Sequence, residues 1–185
     1  EIISQSQALS IEEFSQITEA VVQEKSTEVY EEKMHSYIIK NADLTSYIKE
    51  NLSLSKKFFN AIQKTEVQTI GLITEAWCLD ASIMPPLFEA IEIANNQIQI
   101  KIFLRDQNEE LMNEYLTNGS KSIPIVFGLD VNQKELFRWG PRSTRAKDII
   151  TPILKEEYKV KYSALSEFYK SDMTADIQEE WLKLF

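Results

Sequence analysis

A change of hydrophobic period at Thr69 constrains this chain more than anything else in it. Upstream, apolar residues recur at helical spacing; from Thr69 on, short runs of strand length alternate with helical stretches. Thr69-Ile70-Gly71-Leu72-Ile73-Thr74 is a nearly continuous apolar run, as expected of a buried strand. Leu87, Phe88, Ile91 and Ala94 then share one face of a predicted helix. Ile98, Ile100, Ile102 and Leu104 alternate with Gln99, Lys101 and Phe103, which predicts a strand with one face fully buried. A helix around Leu111, Met112, Tyr115 and Leu116 follows. Pro124-Ile125-Val126-Phe127-Gly128-Leu129 and Lys134-Glu135-Leu136-Phe137-Arg138-Trp139 read as two strands, and the short polar segment 130–133 makes them a hairpin. Ala146, Ile149, Ile150, Ile153 and Leu154 resume the helical period after Gly140-Pro141. The order β-α-β-α-β-β-α predicts an α/β fold. Its first two strands, joined by a helix, should be parallel, and a hairpin closes the mixed sheet.

The flanks are read as helical additions to that core. Ser10-Ile11-Glu12-Glu13 has the form of a capping box, followed by Phe14, Ile17, Val21 and Val22 on one face. Further helical patterns run through Tyr30, Met34, Tyr37 and Ile38, through Leu44, Tyr47 and Ile48, and through Phe58, Phe59 and Ile62. Asn41 and Ser53 are the expected breaks between them. Leu165, Phe168, Tyr169, Trp181 and Leu182 predict a helical tail. The expected division is a helical extension over residues 1–66 packed on the core, a core over 67–160, and a tail over 161–185.

Composition removes several function classes. A formal charge of −9 and the lack of a basic run argue against nucleic acid and anionic membrane as partners. No apolar stretch approaches the roughly 20 residues that span a bilayer, and Glu1 to Gln5 carry no basic-then-apolar signal pattern. One cysteine, Cys78, and one histidine, His35, leave no internal disulfide and no Cys/His metal cage, so neither metal nor cofactor is expected. This cysteine usage fits a reducing cytoplasm.

Cys78 stands just past a strand and just before a predicted helix. Free amides and the dipole at a helix start stabilise a thiolate, which lowers the thiol pKa below its free value of about 8.5. Trp77 would shield the sulfur on one side. The alternative is a small buried hydrophobe, the usual fate of a lone cysteine. Asp80 opposes activation, because a carboxylate near a thiolate raises its pKa. Glu75 adds to this if it points inward, and no histidine or lysine in the motif offsets them.

Strand-Trp77-Cys78-helix, with Ile123-Pro124 opening a later hairpin strand, resembles the thioredoxin superfamily over residues 69–154; Pro124 follows Cys78 by 46 positions. Thr74-Glu75-Ala76-Trp77-Cys78, Leu104-Arg105-Asp106, Leu116-Thr117-Asn118-Gly119-Ser120 and Trp139-Gly140-Pro141-Arg142 resemble more narrowly a bacterial thioredoxin-like group with a helical N-terminal extension and a C-terminal helical tail. The resemblance implies a thioredoxin-like fold, a cis Pro124, and Cys78 as the catalytic residue. It also implies Trp77, Asp80, Ile123 and Pro124 as the substrate-binding residues, with the Ile123 backbone holding an extended peptide. The sequence departs from thioredoxin where Cys-x-x-Cys would stand. Cys78-Leu79-Asp80-Ala81 puts Ala81 in the place of the resolving thiol, so a dithiol cycle within one chain is excluded.

Two functions follow. One is monothiol redox chemistry through Cys78, its mixed disulfide resolved by a low-molecular-weight thiol or a partner protein. The other is a redox-inactive thioredoxin-fold module that binds a partner between the Trp77–Asp80 and Ile123-Pro124 loops or through its added helices. Outside the motif, Arg105-Asp106 reads as an ion pair or a cleft element, and Trp139-Gly140-Pro141-Arg142 as a strand-ending turn rather than a site. Gly119 is expected at positive φ. Pro85-Pro86 should kink the helix after Cys78, and His35 should be solvated.

Overall fold

Ser10 begins the first long helix as its sequence predicts. Its hydroxyl accepts from the Glu13 amide at 3.1 Å, and the Glu13 carboxylate accepts from the Ser10 amide at 2.7 Å. The structure, a computed structural model, describes residues 2–24 and 29–185. The N-terminal part contributes helices α1 (Ile2–Gln5), α2 (Ile11–Val22), α3 (Glu32–Asn51) and α4 (Lys56–Ile62). It also contributes a two-residue strand, β1 (Ala8–Leu9), that the helical reading of this region missed. A strand so short carries no period of its own; it exists because it pairs antiparallel with the edge of the sheet.

The described residues form a five-stranded sheet in the order β1-β3-β2-β4-β5, with β2 (Thr69–Thr74), β3 (Gln99–Leu104), β4 (Ile125–Leu129) and β5 (Glu135–Trp139). The strands β2 and β3 run parallel, joined by α5 (Met84–Ala94), while β2–β4 and β4–β5 are antiparallel. This is the predicted α/β architecture. All six residues of β2 are buried, which explains why its sequence is a continuous apolar run. Phe103, expected on the open face of β3, is buried too, because it stacks on Phe127 at 6.1 Å. Gly71 has no room for a side chain: a Cβ there would meet the Phe127 ring at 2.0 Å. Asn118 and Gly119 both take positive φ, so the turn after α6 (Glu109–Glu114) forms as expected.

One sheet face meets a large cluster that joins Ile38 and Leu44 of α3, Phe88 of α5 and Trp181. The other face meets a smaller cluster of Ile73, Phe103, Phe127, Leu111 and Cys78 beneath α6. Beyond β5, α7 (Thr144–Ile150), α8 (Tyr158–Asp172) and α9 (Ala175–Trp181) complete the larger layer, and α8 crosses residue 160 without a break.

Three further expectations change. Asn41 does not interrupt the N-terminal helices but lies buried in the middle of α3, where its Nδ2 donates to the Ala76 carbonyl at 3.1 Å. That contact overrides the modest helix preference of asparagine. Pro85 and Pro86 do not bend α5; they occupy its first turn, where a missing amide leaves no bond unmade. His35 is half-buried, its Nε2 lying 3.2 Å from the Tyr30 carbonyl oxygen.

Candidate functional site

The loop after β2 carries Glu75, Ala76, Trp77 and Cys78. A 3₁₀ turn, Leu79–Ala81, comes next, and α5 begins only at Met84. Cys78 therefore caps a short turn rather than the long helix expected to follow it, because Pro85 and Pro86 are tolerated only in the first turn of α5. The nearby amides of Asp80 and Ala81 still act in favour of its thiolate.

Those amides lose. Cys78 is buried, and its Sγ donates to the Ile123 carbonyl oxygen at 3.6 Å. Burial pushes its thiol up to about 12, and the Asp80 carboxylate adds to the rise against the pull of the two amides and the Arg142 charge. The structure thus brings Cys78, Ile123 and Pro124 together across the two loops. The Ile123–Pro124 peptide bond is cis, as is Gly140–Pro141. Trp77 remains half-buried, with the Arg105 guanidinium 5.0 Å from its ring.

Asp80 is engaged within the protein. Arg142 Nε donates to its Oδ1 at 2.8 Å, Arg142 Nη2 pairs with its Oδ2, and the Tyr169 hydroxyl donates to Oδ1. Both partners were missed in the sequence. The turn Trp139-Gly140-Pro141-Arg142 ends β5 as expected and also delivers Arg142 to the motif. Tyr169, itself buried, brings α8 over the Cys78 loop. No local pattern announces either contact, since 62 and 89 positions separate the partners.

Glu75 points inward. It is buried, accepts from the Asp106 amide at 2.8 Å, and has its carboxyl pushed up by burial. Tyr30 accepts from the neighbouring Ala76 amide at 3.1 Å, so the extension fastens the loop from its other side. Arg105 and Asp106 form an ion pair at 2.8 Å, the first of the two readings given for them, while Arg105 also faces Trp77. Ala81, at the position of a resolving thiol, is buried. Among the described residues, no cluster of His, Cys, Asp and Glu could hold a metal ion, and no helix is long and apolar enough to cross a membrane.

A family model described as thioredoxin matches residues 14–159 of this chain. No curated protein matches it. Among solved structures, it is similar to a protein of unknown function from Pseudomonas aeruginosa, at 19% identity and a TM-score of 0.52, over 93% of this chain and 99% of that one. It is also similar to an HIV epitope-scaffold, at 17% identity and a TM-score of 0.53, over 92% of this chain and 96% of that one. At these identities the likeness concerns the fold.

Proposed function

Because the chain belongs to the thioredoxin family, we propose that it acts as a redox-inactive thioredoxin-fold module, engaging a partner through the surface around the Trp77–Asp80 and Ile123-Pro124 loops. One observation carries this reading: Cys78 is buried with its thiol pushed up to about 12. At neutral pH that keeps the sulfur as the thiol and leaves too little thiolate for ordinary disulfide exchange. Ala81 offers no second thiol, and Asp80 spends its carboxylate on Arg142 and Tyr169 rather than on a substrate. A protein partner and a reducing compartment, the cytoplasm, belong to the same proposal.

A second reading has an observation of its own. The Asp80 and Ala81 amides and the Arg142 charge all act on the sulfur in the direction of a thiolate. Monothiol exchange through Cys78, with an external thiol as resolvent, would use them once Cys78 is uncovered.

The two readings separate in one experiment on the full chain. Iodoacetamide should leave Cys78 of the folded protein unmodified near neutral pH. Glutathione-coupled reduction of a small mixed disulfide should run no faster with the protein than without it. Turnover that disappears in Cys78→Ser would overturn the binding-module reading and establish the monothiol one.

A further inference from the structure

A groove of about 580 Å³ runs between α3 and α8, inside the roughly 300–1,000 Å³ of sites that take small ligands. Tyr158 and Tyr162 line it from α8 and Leu44 from α3. Tyr158 is 43% exposed and Tyr162 half-buried, so both rings can be reached from solvent. Both are also held in place. Tyr158 packs edge-on against Tyr37 at 4.8 Å, and the Tyr162 hydroxyl donates to the Lys40 carbonyl at 3.0 Å. The centres of the two rings lie 5.9 Å apart. Tyrosine rings fixed in this way give a ligand contact area at little cost in side-chain ordering.

The charges around the groove narrow the choice of ligand. Lys40, Lys159 and Lys170 line it with Asp43 and Glu167, so cations outnumber carboxylates on a chain whose net charge is −9. None of the three lysines forms an ion pair with a described residue. Lys40 Nζ stands over the Tyr162 ring, 6.0 Å from its centre, and Lys159 precedes Tyr162 by one turn of α8. Asp43 bears on the hydroxyl end of Tyr162, which leaves the ring face to the lysines. A cationic ligand packed on that ring would meet both ammonium groups. Lysine only donates, so it calls for an acceptor, and a carboxylate is acceptor on both oxygens.

We propose that this groove binds a small aromatic carboxylate. Its ring lies against Tyr158 and Tyr162, and its carboxylate is taken by Lys40 and Lys159. The site does not depend on whether Cys78 reacts.

The test is a titration of the ¹⁵N-labelled full chain with sodium phenylacetate, with phenylacetamide and 2-phenylethylammonium chloride as controls of matched size. Saturable shifts are expected at the Tyr158 and Tyr162 amides, with a Kd of about 1 mM for phenylacetate. Loss of the charge that the lysines recognise should weaken phenylacetamide at least about tenfold. The ammonium should produce no saturable shift at these residues. Lys40→Met and Lys159→Met should each weaken phenylacetate by about tenfold. Both lysines are exposed, so neither variant disturbs the core. Equal binding of phenylacetate and phenylacetamide would overturn the proposal. So would no saturation by phenylacetate, or undiminished binding in the two lysine variants.

Discussion

Cys78 ties the chemistry of one residue to the stability of the chain. Its thiol is held up near 12 in the folded protein, well above its free value of about 8.5. Between these values the unfolded chain gives up a proton that the folded chain keeps, so unfolding becomes easier as pH rises. The stabilisation is fully present below about pH 8.5 and is lost on the way to pH 12. At pH 10 the loss from this one group is on the order of 1–2 kcal/mol. Cys78→Ala should therefore flatten the alkaline limb of stability by about that amount, as read from urea unfolding at pH 8 and pH 10. An unchanged slope would mean that the sulfur is not held in its neutral form.

At the scale of elements, the buried ion pair between Asp80 and Arg142 joins the Cys78 loop to the end of β5, and Tyr169 adds α8 to the same carboxylate. Removing one partner of such a pair strands the other. Arg142→Met should cost about 3 kcal/mol, because Asp80 remains buried with only the tyrosine hydroxyl to offset its charge. Asp80→Asn should cost less, since the Arg142 side chain is 25% exposed and can turn to water. The double variant should recover part of the Arg142→Met loss in urea unfolding, and strictly additive losses would show that the two side chains do not depend on each other. These contacts also mark the limit of what the sequence made legible. Capping at Ser10, the strands from Thr69 onward and the β4–β5 hairpin follow from local spacing, and each formed where its pattern lay. The strand Ala8–Leu9, the unbroken α3 through Asn41, and the Arg142–Asp80–Tyr169 cluster depend on partners far along the chain. Only the closed sheet and its packed helices create them. The place of Cys78 was readable for the same local reason, whereas its burial was not, because Phe103, Leu111 and Ile123 come from distant elements.

For the whole molecule, the question is whether the helical extension, the core and the tail unfold as one. A single apolar cluster contains Ile38 and Leu44 of the extension, Leu72 and Phe88 of the core, and Trp181 of the tail. Trp181 is fully buried and lies within 6.4 Å, between ring centres, of Phe58, Phe88 and Trp139, so one side chain touches all three parts. Cutting it back removes packing that none of them can replace. Trp181→Ala should cost about 3–5 kcal/mol. The loss should be global, because a defect in a shared cluster lowers the stability of everything built on it. Far-UV circular dichroism, which follows all the helices, and tryptophan fluorescence, which follows Trp77, Trp139 and Trp181, should then give coincident urea transitions in the unaltered chain. In Trp181→Ala both should move to lower urea together. An early transition confined to a fraction of the helical signal would mean that the tail melts alone, and Asp80 would then lose Tyr169 while the sheet still stood. Cooperative unfolding has the opposite consequence: the cover over Cys78 is as stable as the fold itself.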